Sequence, residues 1–312
     1  MIKIIFKSCI VVICSFTNLC SEEYLSIGFW NAENLFDLIN DPNKNDDEFA
    51  LGGRKNVDQK IYNLKIKNSS EVVSDLDVDI LGLCEVENID VLNDLNQAYP
   101  KRSYSIIHYE SPDNRGIDNA LFYDEKRFSI ISSRAISNTL KNGTKTRDIL
   151  YVSGKYQNTV LHIYINHWPS NYGGKEKAIP KRTTTAELII QEVEKVRKND
   201  MFAEIILLGD FNEDPDDLNI QMMEGFGLTS LMKPLLGKPK IGTYVYRGKD
   251  YFYDQIIIIN PYVTIMLIFI LFRFFDILKI FPANIVDRKL KSAFGVILDD
   301  LIAGIYTIII LY

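Results

Sequence analysis

Basic residues are in short supply in this chain of 312 residues, where 35 Lys and Arg face 41 Asp and Glu for a formal net charge of −6. A protein that grips nucleic acid over a broad surface needs the opposite balance, because Lys and Arg must neutralise phosphates. A local basic cleft is still compatible with it. Cysteine is as sparse: of four, Cys9, Cys14 and Cys20 sit at the N-terminus and Cys84 stands alone. Beyond the first residues there is therefore no intrachain disulfide framework. Histidine is rarer, with His108, His162 and His167 as the whole complement and none after Asp254. What is present suits a folded chain: 47% hydrophobic and 24% charged residues, and length enough for one large domain or two smaller ones.

The N-terminus reads as an export signal over residues 1–21. Lys3 and Lys7 flank "MIKIIFK", and the apolar "SCIVVICSF" precedes the acidic "SEEY". Small residues are not clearly placed before Ser21, and "TNLC" lacks the small residue usual before a lipidated cysteine. The same run also reads as a buried first strand or an uncleaved anchor.

From Tyr24 to about Asn260, short apolar runs alternate with helical patterns. "YLSIGFWNAENLF", "VDILGLCEVEN", "NALFYD", "TVLHIYINHW", "EIILLGDFN" and "YDQIIIIN" read as strands. "TTTAELIIQEVEKVRKN" has helical spacing, with Thr183 to Thr185 as its N-cap. "INDPNKNDDEFALGGRKN" reads as an exposed loop. Mixed elements of this kind predict an α/β (α+β) domain over 22–260.

Each strand ends in polar groups: Asn31 and Glu33, Glu85, Asn166 and His167, Asp210 and Asn212, and Asp254. A single acidic end is ordinarily a turn or a helix cap. Five on separate strands are different, because a sheet brings neighbouring ends together. Hard oxygen ligands such as Glu85 and Glu33 suit Mg²⁺ or Mn²⁺, and His and Asp beside such an ion suit phosphoester hydrolysis.

In order, "GFWNAENLF", "DILGLCEVEN", "RGIDNALFYD", "NHWPSNYGG", "LLGDFNEDP" and "YDQIII" resemble the motifs of the endonuclease/exonuclease/phosphatase superfamily, the DNase I-like metal-dependent phosphoesterases. The resemblance implies a four-layered sandwich of two mixed sheets flanked by helices. It makes Glu85 the principal Mg²⁺ (or Mn²⁺) ligand, with Asn31 and Glu33 beside it and Asn31 also near the substrate. Asp210 would orient or deprotonate the attacking water, Asn212 would bind a phosphate oxygen, and His167 would stabilise the transition state. Asp254 matches the aspartate that orients a second histidine. Arg115 and Arg182 are candidates for phosphate contact, against an ordinary surface role. Trp168 and Pro169 read as loop packing.

The family's closing Ser-Asp-His motif is missing, and its last strand with it. Loss of one positioned group lowers rate by about 10² to 10⁴, so weak or absent hydrolysis is expected. Beyond Asn260 the chain is strongly apolar, and Phe269 to Tyr312 resembles the C-terminal part of phosphatidylglycerophosphatase A through Arg273, Asp276, Asp287, Asp299 and Asp300; that enzyme's N-terminal portion is absent. If "DQIIIIN" is a core strand, the apolar stretch from Tyr262 to Phe275 is shorter than the roughly 20 residues of a spanning helix. A fusion of two truncated reading frames near Asn260 to Tyr262 is expected, with residues 261–312 as a membrane-associated helical tail. Lys279, Arg288, Lys289 and Lys291 between its apolar segments favour a cytoplasmic loop.

The expectation is thus an exported, membrane-tethered phosphoesterase acting on nucleic acid, phospholipid or a small phosphoester, with no protein partner. Two alternatives stay open: a fragmentary membrane lipid phosphatase, and a catalytically silent metal-binding module.

Overall fold

A computed structural model describes residues 24–259, the backbone of Ile10–Cys14, Leu298 and residues 301–306. The chain divides into two compact units, Met1–Lys195 with Ala203–Ile259, and Val196–Phe202 with Asn260–Tyr312.

The first unit begins with strands β1 (Ile10–Cys14) and β2 (Leu25–Leu35), helix α1 (Gln59–Leu76), β3 (Ile80–Val86), α2 (Ile89–Ala98), β4 (Ser105–His108) and β5 (Asp118–Tyr123). These strands form one sheet in the order β1-β2-β3-β5-β4. Only β2 and β3 run parallel, joined by α1 as parallel strands require. Then come β6 (Ser129–Ile136), β7 (Ile149–Tyr156), β8 (Thr159–His167), α3 (Lys175–Asn199), β9 (Glu204–Asp210), α4 (Leu218–Glu224), β10 (Leu228–Ser230), β11 (Tyr244–Tyr246), β12 (Lys249–Tyr251) and β13 (Asp254–Ile259). The second sheet has the order β10-β13-β9-β8-β7-β6, with β8 and β9 its one parallel pair, while β11 and β12 make a separate hairpin.

The two sheets share a core. Leu25, Ile27, Phe29 and Leu121 of the first pack with Val152, Ile163, Leu208 and Ile256 of the second. Contact is close enough that a Cβ on Gly82 would lie 3.0 Å from Ile165 Cδ1 and 3.2 Å from Leu208 Cδ1. The first sheet's other face buries Leu83 and Phe122 against Val73 of α1 and Leu92 and Leu95 of α2. Outside the second sheet, the Tyr164 hydroxyl donates to the Glu192 carbonyl of α3. Two mixed sheets flanked by helices are therefore the architecture, as expected.

Two expectations change. The N-cap at Thr183 to Thr185 is wrong: α3 starts at Lys175, after Gly173 and Gly174 in left-handed backbone. Pro180 sits inside the helix, and the three threonine hydroxyls donate to carbonyls four residues back, at 3.0 to 3.3 Å. The loop after β2 is not simply solvated, since Asp46 is buried and Phe49 stacks on Phe36 at 4.3 Å. The apolar N-terminal run supplies β1, which pairs antiparallel with β2 from Ile10↔Phe29 to Cys14↔Leu25. That is the strand alternative for this run; cleavage before Ser21 would remove β1 and leave β2 at the sheet edge.

In the second unit, residues 301–306 are helical, with Ala303 buried and Leu301 and Ile305 exposed. Among the described residues, no helix is long and apolar enough to cross a membrane. Apart from Leu298 and residues 301–306, the expected membrane-associated tail lies outside the described residues, and Arg273, Asp276, Asp287, Asp299 and Asp300 with it.

Candidate active site

Both parallel pairs aim their C-terminal ends at one cavity of about 900 Å³. Strand β2 brings Asn31 and Glu33, β3 Glu85, β8 His167 and β9 Asp210, while antiparallel β13 enters with Asp254 directly across from Asp210. Asn212 follows β9, and all seven line the cavity.

Backbone strain is concentrated here. Among the described residues nine non-glycine positions have positive φ, and four line this cavity: Glu33 (51°), Asn34 (62°), Glu85 (58°) and Asn212 (51°). Glu33 and Glu85 sit where pairing shifts, between Asn31 and Leu35 and between Cys84 and Val86. Each bulge re-aims a carboxylate that a regular strand would send to one sheet face. Lys65 of α1 braces the first bulge, donating to the carbonyls of Ala32 and Glu33 at 2.9 Å each.

Asp210 is held at both oxygens. Oδ2 accepts from Asn31 Nδ2 at 3.1 Å and Oδ1 from the Asn212 amide at 2.9 Å. Burial is the main force on its pKa, and the Glu85 charge adds to it, so that it rises to about 6. Burial and then the charges of Asp210, Glu85 and Glu33 push Asp254 well above the ordinary carboxylate range. His167 Nε2 lies 3.6 Å from Glu85 Oε1 and 4.0 Å from Asp210 Oδ2. Burial, with the positive charges of Arg147 and Arg115, drives this imidazole well below its usual pKa, so it is neutral at pH 7.

The donor set fits a hard dication. Oxygen ligands crowd together, two carboxyls are forced toward their protonated forms, and Asp254 Oδ1 is buried without a hydrogen-bond partner. A divalent cation would relieve all three conditions. Another group of suitable chemistry, His108, Glu110 and Asp118, has ligand atoms within 4.8 Å of one another. Asp118 is already engaged there, accepting from Ser111 N at 2.8 Å and bonded to His108 Nε2 at 3.0 Å.

The two arginines do not join the cavity lining. Arg182 is 0% exposed and locked by Glu213 Oε1 at 2.8 Å, Pro169 O and Asn171 Oδ1. Its Nε is committed to Glu213 inside the protein, while its Nη2 is buried without a hydrogen-bond partner. Arg115 keeps a 44% exposed side chain 3.7 Å from Asp113. Trp168 is wholly buried against Phe211, in keeping with loop packing.

Sequence reasoning missed three contributors. Lys65 is one. Arg147 is another, tying Asp113 to the Trp168 carbonyl at 3.1 and 2.7 Å. The third is the tyrosine-rich rim, Tyr244, Tyr246, Tyr251 and Tyr253, whose signal is the alternation in "TYVYRGKDYFYD" around an Arg-Gly turn.

Residues 26–289 match the profile described as the Endonuclease/Exonuclease/phosphatase family. The chain belongs to this family. It is a metal-dependent phosphoesterase by that membership, and the match continues past Asn260 into the expected tail. Among solved structures it is similar to a humanized D. rerio TDP2 with 14 mutations, at 17% identity, TM-score 0.53, covering 76% of this chain and 83% of that one. It is also similar to a mannosyl-6-phosphatase of Bacteroides thetaiotaomicron, at 18% identity, TM-score 0.52, covering 75% and 85%. At such identities the likeness is one of fold. A 48-residue stretch is 50% identical to phosphatidylglycerophosphatase A of Haemophilus influenzae, covering 15% of this chain and 29% of that protein's length.

Proposed function

We propose that the chain is a Mg²⁺-dependent phosphodiester hydrolase whose turnover is low for want of a second histidine beside Asp254. The observation that carries this reading is the convergence of Glu85, His167, Asp210 and Asp254, with Asp254 Oδ1 buried and without a partner. Glu85, with Glu33 and Asn31, would hold the ion, which when bound supplies positive charge to the phosphate oxygens. Asp210, poised near pH 6 by burial, is deprotonated at neutral pH and takes a proton from the attacking water. Asn31 and the Asn212 amide fix its orientation. Asn212 Nδ2 gives one proton to the Trp168 carbonyl at 3.1 Å, which leaves the other for a phosphate oxygen. Neutral His167 presents a ring N–H to developing negative charge.

Bis-p-nitrophenyl phosphate and plasmid DNA, assayed with Mg²⁺, with Mn²⁺ and in EDTA, test the reading. Slow, metal-dependent hydrolysis that is lost in Glu85→Gln and raised by added imidazole is expected. Turnover that persists in EDTA, or is equal in Glu85→Gln, overturns it. Mg²⁺ binding without any hydrolysis would favour the silent module. A second reading, phosphate release from phosphatidylglycerophosphate, is favoured by the 48-residue match alone; release from that lipid without any from DNA would select it. Export of the N-terminal domain and membrane attachment through residues 261–312 belong to the same proposal, tested by fractionating cells that express the full chain.

A further inference from the structure

We propose that the β11–β12 hairpin is a stacking subsite for unpaired nucleobases, delivering single-stranded nucleic acid to the acidic cavity. The inference rests on the phosphodiesterase reading and names the substrate class of the same site.

The hairpin turns at Arg247 and Gly248, both at positive φ, so Tyr244 and Tyr246 stand two residues apart on one strand, on the same face. Their rings are nearly parallel, 9° apart with centroids at 6.4 Å. Tyr253 continues the row at 5.4 Å and 19° from Tyr244, and Tyr251 lies 5.0 Å from Tyr253. All four line the cavity that holds Glu85 and Asp210. Tyr244 and Tyr246 remain 45% and 50% exposed, so part of each ring stays open to solvent beside its neighbours in the row. Cations accompany the rings: Lys249 Nζ lies 4.6 Å from the Tyr251 centroid and Arg247 Cζ 5.1 Å from that of Tyr246.

A row of aromatic rings, three of them near-parallel and Tyr251 tilted by 35° from Tyr253, with cations beside it, suits a ligand that repeats a planar unit and a negative charge. That is the chemistry of a single strand, with bases on the rings and phosphates on the cations. One sugar phosphate would use one ring and one cation and leave the row without a purpose. The chain's net charge of −6 fits such a local device, since that balance disfavours a broad electrostatic grip on duplex DNA.

The test measures binding apart from chemistry. Fluorescein-labelled oligothymidylate is titrated into the full chain in EDTA and followed by anisotropy, beside an oligomer with the same phosphates and abasic units. Base-bearing strand should bind about tenfold more tightly than the abasic one. Tyr244→Ala and Tyr246→Ala should each weaken it about tenfold with melting temperature unchanged, and Tyr→Phe should restore it. Equal affinity for both oligomers, indifference to the tyrosine substitutions, or tighter capture of mannose 6-phosphate through the same tyrosines would overturn the subsite. The two readings fail separately: metal-dependent turnover of bis-p-nitrophenyl phosphate without base-dependent binding refutes the hairpin alone. Tyrosine-dependent binding of bases without turnover refutes the catalytic reading alone.

Discussion

Replacing Asp254 by asparagine should stabilise the metal-free protein. Burial and the charges of Asp210, Glu85 and Glu33 raise the Asp254 pKa well above its ordinary value. A carboxyl raised in this way binds its proton more tightly in the folded chain than in the unfolded one. Its contribution is therefore fully present below the unfolded pKa and is lost as pH climbs through the folded one. Asp210, beside it across the strand pair, moves from 3.8 to about 6, a shift of about two units worth roughly 3 kcal/mol. Asp254 is displaced in the same direction by the same causes, and a buried polar group left without a partner typically costs about 1 to 3 kcal/mol, so its neutral isostere should recover stability of that order at pH 8 and almost nothing at pH 4. At roughly 2–4 °C per kcal/mol for a domain of this size, the gain in melting temperature should be several degrees. Thermal denaturation of parent and Asp254→Asn in EDTA at pH 4, 6 and 8 measures it, and Mg²⁺ should narrow the difference by stabilising the parent. An unchanged or lower melting temperature for Asp254→Asn at pH 8 would refute the charge-crowding argument.

Glu87 offers a second pH test away from the cavity. Burial, with Asp37 and Asp46 nearby, raises it to about 8, so stability should fall as pH rises from about 4.5 through 8. Glu87→Gln should flatten that part of the melting-temperature profile; an unaltered slope would assign the loss elsewhere. Arg182→Met should cost about 3–5 kcal/mol in urea unfolding, because it strands the buried Glu213 carboxylate. A variant of unchanged stability but raised KM would restore Arg182 as a substrate contact.

Much of this fold could be read in advance because its central strands are buried on both faces. Runs such as "ILGLCEV" and "EIILLGD" are continuous apolar blocks that end in acid, and they became β3 and β9, each in a parallel pair. Strand β6, "SIISSRAI", is largely exposed and lacks that signal, so it was missed. The start of α3 was misplaced because threonine is favoured at N-caps, yet here each hydroxyl bonds back into its own helix. Site residues at strand ends were legible one by one. Their positive φ values and the bulges that aim Glu33 and Glu85 were not, because strain leaves no mark in composition. The buried pairing of Arg182 was equally illegible. Its partner Glu213 follows the site residues in "GDFNEDP", and only the fold shows that this glutamate turns inward to Arg182 and to Asn219 at the start of α4.

Isothermal titration of Mg²⁺ into the purified full chain, in parallel with Glu85→Gln, tests the central claim most directly. One saturable Mg²⁺ site is expected in the parent, with binding accompanied by proton release near pH 6 as the crowded carboxyls ionise, and with that site lost in Glu85→Gln. Equal Mg²⁺ binding by both proteins, or none by the folded parent, would contradict it.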